Sequence, residues 1–572
     1  MSGLSSCLVV ARVDNEGLRP LVETRLRALE AWYRPLGPVR VSSRWLSDAS
    51  TVVAEIAFGH GACASAAAST FAWGADGRGA ALSGLLHADD EQLRQFDRFG
   101  VFVGTSDARI RVVSGTGPTA LYCAGNAGSA VQAWSSHATA AGLLARGSVE
   151  LRVELIPELF AISYVGLGDT HLRGVHAVPP ATCIDIERGT TSTRSFLTPS
   201  QRYELVPEHD ALAVAEDALL AFLEQSLAGA RAPWLGLTAG LDSRALAAAI
   251  TQLGLSIRAF TWSHADGHET LGAAPVAELL GIAHECRVPE IIDDESSRAR
   301  IDANARWSDG LLYADALHAP TWPGDISHFV TGNSGEVGRA YAYAKRLGEF
   351  RREPSAPVLA RMLRADEAIR RARPDARRLV RDRAARMVQR ALEIGLRGWR
   401  VLDAVYYEER QQRFIRALWN RSSAIVVAPF LNAEVGRALI SMPLQQRLDA
   451  ALHRRLVERV APSLAQPSSL RRRGVPILAR RLASETRRRR ARARPPAFLF
   501  AAEWRRRPQT RRWLLDEVLR DPLLEEALGP RWVSSTREGF VADTEPATFA
   551  TLQAAALCSY RDAVAGLNRS VG

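Results

Sequence analysis

The stretch Trp234-Leu-Gly-Leu-Thr-Ala-Gly-Leu-Asp-Ser-Arg-Ala-Leu-Ala-Ala-Ala-Ile250 constrains this chain more than any other. The apolar run Trp234 to Leu237 has the length of a buried strand. Thr238 to Ser243 reads as a tight polar turn, and an Ala-rich helix follows from about Arg244. The first N–H groups of such a helix have no internal partner, and its dipole adds partial positive charge, so the turn suits an anion. Gly240 allows close backbone approach to a ligand. Thr238 and Ser243 add hydroxyls, and Asp242 adds a carboxylate of the kind that holds Mg²⁺. Helix capping by Asp242 or Ser243 explains part of this pattern. It leaves the full hydroxyl–glycine–carboxylate cluster behind an apolar strand unaccounted for.

The flanking sequence falls into two regimes. Up to about residue 205, short apolar runs are broken by Gly, Asp, Asn and Ser: Cys7–Val13, Val52–Phe58, Phe99–Gly104, Ile110–Val113, Ala120–Cys123 and Thr182–Ile186. These predict strands, with a few helices such as Leu21–Trp32. From about His209, helical segments (Ala211–Ala228, Leu271–Leu280) alternate with short strands (Ser256–Trp262), which argues for a parallel α/β sheet. Ligands of such sheets bind at the carboxyl ends of strands, where the Thr238–Ser243 turn would lie. The boundary is expected near Pro199–Pro207. Beyond about 340 the chain reads as helical and Arg-rich, with an amphipathic helix over Asp403–Trp419.

A length of 572 residues exceeds one ordinary core, so two large domains are expected. The net charge is +11, and Lys345 is the only lysine among 73 basic residues, which leaves 72 arginines. The arginine runs between 470 and 496 read as a solvated basic segment. Aromatic residues are not interleaved with them as a single-strand binder requires, so no nucleic-acid partner is expected. The six cysteines are scattered, without metal-ligand spacing or a disulfide framework. The N-terminus lacks the basic region of a signal peptide, and no apolar run is long enough to span a bilayer, so a cytoplasmic protein is expected.

The turn Thr238-Ala-Gly-Leu-Asp-Ser243 resembles the pyrophosphate-binding loop Ser-Gly-Gly-x-Asp-Ser of the ATP pyrophosphatase superfamily. Ala239 stands where that family has its first glycine. Further stretches extend the likeness to its asparagine synthetase-like members. Phe260-Thr-Trp-Ser263, followed by Glu269 and by Leu280, Gly281 and His284, is similar to the strand and helix that contact adenine. The run His328-Phe-Val-Thr-Gly-Asn-Ser-Gly-Glu-Val-Gly-Arg-Ala340 resembles the family's Ser-Gly-x-Gly-x-Asp-Glu turn. Tyr406-Tyr-Glu-Glu-Arg410 matches a region whose acidic residue positions an amine. Ala428-Pro-Phe-Leu-Asn432, with Met442-Pro443 and Arg447, is similar to a Pro-Phe-Leu-Asp segment and the Leu-Pro…Arg after it.

On this resemblance the fold is α/β. Residues 1–205 would form a degenerate glutaminase-like αββα layer domain of the N-terminal-nucleophile type. Residues 206–572 would form a parallel-sheet synthetase domain resembling the adenine nucleotide α-hydrolases, with a helical extension. The glutaminase nucleophile is absent: Ser2 stands where that chemistry needs Cys, Cys7 is too far in, and the Arg-Gly-Pro-Asp motif is missing. Thr238, Ala239, Gly240, Leu241, Asp242, Ser243, Thr261, Ser263 and Gly332 would bind ATP, and Asp242 with Glu336 would bind Mg²⁺. Asn333, together with Glu408 or Glu409, would serve the chemistry. The family's catalytic lysine is missing from Asp449–Arg455, where His453, Arg454 or Arg455 would stand in.

A glutaminase layer without its nucleophile, joined to an adenylating domain, is most similar to the lasso peptide cyclases. That resemblance implies AMP-forming closure of an isopeptide bond in a precursor peptide. A leader peptidase and a leader-binding protein would then be partners. The alternative is an amide-forming ligase on a small molecule, like asparagine synthetase or β-lactam synthetase.

Overall fold

The computed structural model describes residues 5–47, 50–58, 70–73, 86–96, 101–105, 109–126, 128–263, 267–287, 294–311, 326–340, 354–363, 368–415, 424–462, 507–542 and 544–571. Ser2, Cys63, Lys345 and the arginine runs of 470–496 lie outside the described residues.

Alternation of apolar residues builds two antiparallel sheets from the first 195 residues. The first has the order β2 (Val39–Trp45), β3 (Thr51–Phe58), β1 (Ser5–Val13), β8 (Val131–Ser135), β7 (Tyr122–Ala124), β9 (Val175–Ala177). The second runs β11 (Thr190–Ser195), β10 (Thr182–Glu187), β6 (Arg109–Ser114), β5 (Val101–Thr105), β4 (Thr70–Trp73). The two-residue side-chain period gives β1, in the middle of the first sheet, two apolar faces. On β1, Leu8 and Val10 pack with Val101, Val103, Ile110, Val112 and Ile184 of the second sheet. Cys7, Val9, Ala11 and Val13 face helices α1 (Arg19–Tyr33) and α3 (Ala138–Arg146). The short helix α2 (Asp90–Phe96) places Leu93 against Val113 and Cys183 on the outer side of the second sheet. Among the described residues, helices α1 and α3 thus cover the outer face of the first sheet, the second sheet packs on its other face, and α2 touches the far side of the second sheet.

The C-terminal helix Glu545–Val571 also enters this first unit. Tyr560, Ala563, Val564 and Leu567 share its core with Trp32 and Leu143. The Thr139 and Tyr560 hydroxyls lie 2.5 Å apart, and Asp309 accepts from the N–H groups of Ala138 and Thr139 at the start of α3. Asp309 thus supplies, from a distant segment, the anionic cap that α3 lacks locally.

The parallel sheet has the order β14 (Ala283–Arg287), β13 (Arg258–Trp262), β12 (Pro233–Gly236), β15 (His328–Val330), β16 (Ile425–Val427). Beyond β12 the chain adds strands outward on one side, then returns to the other side with β15. Ligand crevices of open α/β sheets form at this switch, outside the carboxyl ends of the strands. Helices α4 (Ala211–Leu227), α5 (Leu241–Gln252) and α6 (His268–Leu279) cover the sheet, with Leu219, Leu223, Leu246, Ile250 and Val276 in one core. Gly281, at φ +66°, ends α6 in the left-handed conformation that glycine adopts without strain. Helix α5 begins at Leu241, three residues before the expected Arg244, because extended Gly240 is its N-cap.

Among the described residues, no helix is long and apolar enough to cross a membrane.

Candidate functional site

The turns after β12 and β15 meet at the switch point, and glycines make the approach possible. A Cβ on Gly332 would sit 3.0 Å from the backbone nitrogen of Ser243, and one on Gly335 would sit 2.7 Å from the Asp242 carboxyl carbon. The second turn is strained as well as tight. Ser334 (φ +75°) and Ala340 (φ +50°) hold left-handed conformations at the two ends of a 3₁₀ helix, Gly335–Arg339. Such conformations cost about 1–3 kcal/mol each and persist where the surroundings over-determine them. The buried Ser334 hydroxyl has no hydrogen-bond partner among the described residues.

The first turn is tied internally. Thr238 N–H donates to Ser243 Oγ at 3.1 Å, Gly240 N–H to Thr238 Oγ1 at 3.0 Å, and Ala239 N–H to Glu269 Oε2 at 2.8 Å. Arg244 bends back to the carbonyls of Gly240 (3.2 Å) and Ala239 (3.1 Å). Burial pushes its guanidinium pKa down, against the upward pull of Asp242 and Glu269. No side chain caps the start of α5, which leaves the first-turn N–H groups without a side-chain partner from the N-cap.

Asp242 sits between Arg339 and His453. Arg339 donates Nε–H to Oδ1 at 2.8 Å and Nη2–H to Oδ2 at 2.5 Å. His453 Nε2 lies 2.8 Å from Oδ1, a close contact without the alignment of a hydrogen bond. The imidazole is fully buried and stacked on Phe430, ring centroids 5.6 Å apart. Burial alone raises the Asp242 pKa, but His453 and Arg339 outweigh it and hold the carboxyl below its usual range.

The site residues expected from the sequence separate into groups. Thr238 to Ser243, Gly332, Glu336 and His453 come together at the switch point. Asn333 lies on the same turn, its N–H donating to Thr331 Oγ1 at 3.3 Å. Thr261 is buried one strand over, its hydroxyl donating to the Leu237 carbonyl at 2.6 Å and lying 2.8 Å from His284 Nε2. Ser263 is buried at the end of β13, its N–H donating to the Arg287 carbonyl.

Glu408 and Glu409 are held elsewhere. Glu408 accepts from the Tyr203 hydroxyl at 2.7 Å and from Arg202 at 3.1 Å. Glu409 is buried, accepts from Leu167 N–H at 2.8 Å, and has its pKa raised by burial. Of the three stand-ins for a lysine, only His453 reaches Asp242. Arg455 pairs with Glu216 at 2.7 Å, and no described contact brings Arg454 to the site.

The expected amphipathic helix Asp403–Trp419 is instead an α-helix over Arg400–Val405 that widens into a π-helix over Tyr406–Ile415. Residues 416–423 lie outside the described residues. π-turns gather at functional sites because an extra residue per turn re-aims side chains. Here the widened turn sends Tyr406 to Glu336, whose Oε1 accepts from the Tyr406 hydroxyl. Burial, and then Glu336, raise the pKa of that hydroxyl. The turn bearing Glu336 is further held by Arg447. This buried side chain donates twice to the Val337 carbonyl (3.0 and 2.7 Å) and twice to Asp403 (2.7 Å each).

Two participants escaped the sequence reading. Arg339 carried a usable signal, because residues three apart eclipse on a 3₁₀ helix and Glu336 and Arg339 therefore share a face. Tyr406 lies in the Tyr406–Arg410 stretch singled out for its acidic residues, but nothing local links it to Glu336, 70 residues away.

Mg²⁺ takes one or two carboxylates together with phosphate oxygens. Glu336 Oε2 has no hydrogen-bond partner among the described residues and fits that demand. Asp242, expected to bind Mg²⁺ with Glu336 as the second ligand, is instead engaged by Arg339 through both oxygens and lies beside His453. Among the described residues, no group of three or more His, Cys, Asp or Glu could hold a metal by itself.

The arrangement combines an uncapped helix start with Arg244, Arg339 and His453 around one carboxylate, beside a second carboxylate with an open oxygen. That chemistry suits a polyanion carrying a divalent cation. No family model matches the chain, and no curated protein matches it.

Proposed function

We propose that this chain is an ATP-dependent, AMP-forming amide synthetase of the lasso peptide cyclase type. One observation carries the reading. The Thr238–Ser243 turn and the Gly332–Glu336 turn interlock at the switch point of a parallel sheet, with Arg339 and His453 converging on Asp242.

A carboxylate does not condense with an amine at neutral pH without activation. In the proposed reaction an Asp or Glu carboxylate oxygen of the precursor peptide attacks the α-phosphorus of ATP, and pyrophosphate leaves. The peptide's N-terminal amine then attacks the acyl carbon, AMP leaves, and the amine loses its proton as the isopeptide bond forms.

The start of α5 and the hydroxyls of Thr238 and Ser243 would receive the departing pyrophosphate. Arg339, anchored by Asp242, would supply positive charge where the resemblance leads one to expect a lysine, and the His453 imidazole lies beside the same carboxylate. Glu336 would hold Mg²⁺, which neutralises phosphate charge when bound. Tyr406 and Arg447 position Glu336 and its turn. Holding amine and acyl carbon together contributes up to roughly 7–11 kcal/mol in the best intramolecular cases.

The test is a reaction of the full chain with ATP, Mg²⁺ and a leader-free peptide bearing an N-terminal Gly and an internal Asp. The expected products are AMP, pyrophosphate and a peptide lighter by one water. Replacing the acceptor Asp by Asn should stop all three. Release of ADP would overturn the reading, because it means γ-phosphoryl transfer. AMP formation with a small carboxylate and never with a peptide would move the assignment to a small-molecule amide ligase.

A further inference from the structure

The π-helix that carries Tyr406 also walls a cavity of about 320 Å³, at the lower end of the range for small-ligand pockets. Ile162, Leu363, Leu402 and Val405 form the apolar part of its lining, and Ser163, Tyr164, Tyr406 and Arg410 form a polar part of comparable extent. The guanidinium of Arg410 lies 5.8 Å from the ring centre of Tyr406 and 5.1 Å from that of Phe414. Such stacking holds the cation in place and leaves its N–H edge for an anion. Among the described residues Arg410 makes no ion pair, in a chain where Arg383, Arg413 and Arg447 nearby all face carboxylates. A half-buried guanidinium in a chamber with one apolar wall, without a carboxylate of its own among the described residues, is complementary to a carboxylate on an apolar group. Tyr406 joins this chamber to the candidate site, since the same hydroxyl donates to Glu336.

We infer that this cavity binds the acceptor substrate, an apolar segment bearing a carboxylate, with Arg410 pairing with that carboxylate. The assignment rests on the synthetase reading for the identity of the substrate and on the cavity's own chemistry for its binding. Ile162, Leu363, Leu402 and Val405 select for apolar neighbours of the carboxylate. A chamber of this volume admits a short segment and excludes a folded partner.

The test uses 4-phenylbutyrate, which carries one carboxylate on an apolar body, and its neutral isostere 4-phenylbutyramide. Both are titrated calorimetrically into the full chain without nucleotide. The acid should bind at one site, at least tenfold more tightly than the amide. Arg410→Met should weaken the acid at least tenfold and leave the amide unchanged, while Arg410→Lys should restore part of the loss. Ile162→Trp, which fills the chamber from a half-buried wall, should remove both. Circular dichroism and binding of a fluorescent ATP analogue check that each variant is folded. Absence of acid binding to the wild-type chain, equal binding of acid and amide, or indifference to Arg410→Met overturns the assignment. If the acid binds as stated but no carboxylate ever yields AMP, the cavity assignment stands and the synthetase reading falls. If AMP forms while Arg410→Met binds the acid normally, the reverse holds.

Discussion

Arg339 grips Asp242 through both edges of its guanidinium, at 2.8 and 2.5 Å, and so closes the turn after β15 onto the turn after β12. His453 approaches the same carboxylate from a third element, the helix Ala451–Val460. The three side chains make one charge cluster from segments 97 and 211 residues from Asp242.

The Arg339–Asp242 pair should therefore behave as a coupled unit. Arg339→Met and Asp242→Asn should each lower stability, and the double variant should lose less than the sum, with a coupling of about 0.5–3 kcal/mol. Urea denaturation of the four proteins measures this. Strict additivity would show that the contact contributes nothing in solution.

Tyr406→Phe removes the donor to Glu336 and keeps the ring. A hydrogen bond to a charged group contributes about 1.5–3 kcal/mol. AMP formation should accordingly fall by roughly ten- to a hundredfold, with the circular dichroism spectrum unchanged. Glu336→Gln should go further and raise the Mg²⁺ concentration needed for half-maximal AMP formation. An unchanged Mg²⁺ requirement would remove Glu336 from the metal-binding role.

Arg447 is 2% exposed and its partner Asp403 is equally buried. Arg447→Met leaves a buried carboxylate without its cation and frees the Val337 carbonyl, so stability should drop by about 3–5 kcal/mol. Arg447→Lys should rescue little, because an ammonium cannot reproduce the two-pronged contact with Asp403 while bonding Val337. Denaturant midpoints decide this, and full rescue by lysine would contradict the geometry.

His171 predicts an acid limb of stability. It is fully buried against Tyr560, ring centroids 5.6 Å apart, and burial lowers its pKa to about 4, with only partial compensation from Asp309. The unfolded chain takes up a proton near pH 6.5, and the folded chain does so only near pH 4. Stability is therefore fully present above about 6.5 and is lost as pH falls toward 4, by up to roughly 3 kcal/mol at 1.36 kcal/mol per pH unit. His171→Leu should flatten this part of the stability–pH curve, as read by denaturant midpoints between pH 4 and 7. A slope equal to wild type would place the titrating group elsewhere.

Where meaning was local, the sequence carried it. The alternation in β1, with Leu8 and Val10 set against Cys7, Val9, Ala11 and Val13, reads directly as a strand with two apolar faces, because the side-chain period is two. Trp234 to Ile250 reads as strand, turn and helix, because glycine and an alanine-rich run act within a few residues. The order of such units also implies a parallel sheet with its turns at one edge. Tertiary structure decided which side chains meet. Glu408 and Glu409 are adjacent and chemically alike, yet one is bound by Arg202 and Tyr203 and the other by the Leu167 amide. A local pattern cannot separate them, because the choice depends on which segment packs against each side of the π-helix. The docking of Tyr560 and Leu567 into the core of the first sheet follows the same logic. Apolar burial is non-directional, so a helix face records that it will be covered and leaves the covering partner to the fold.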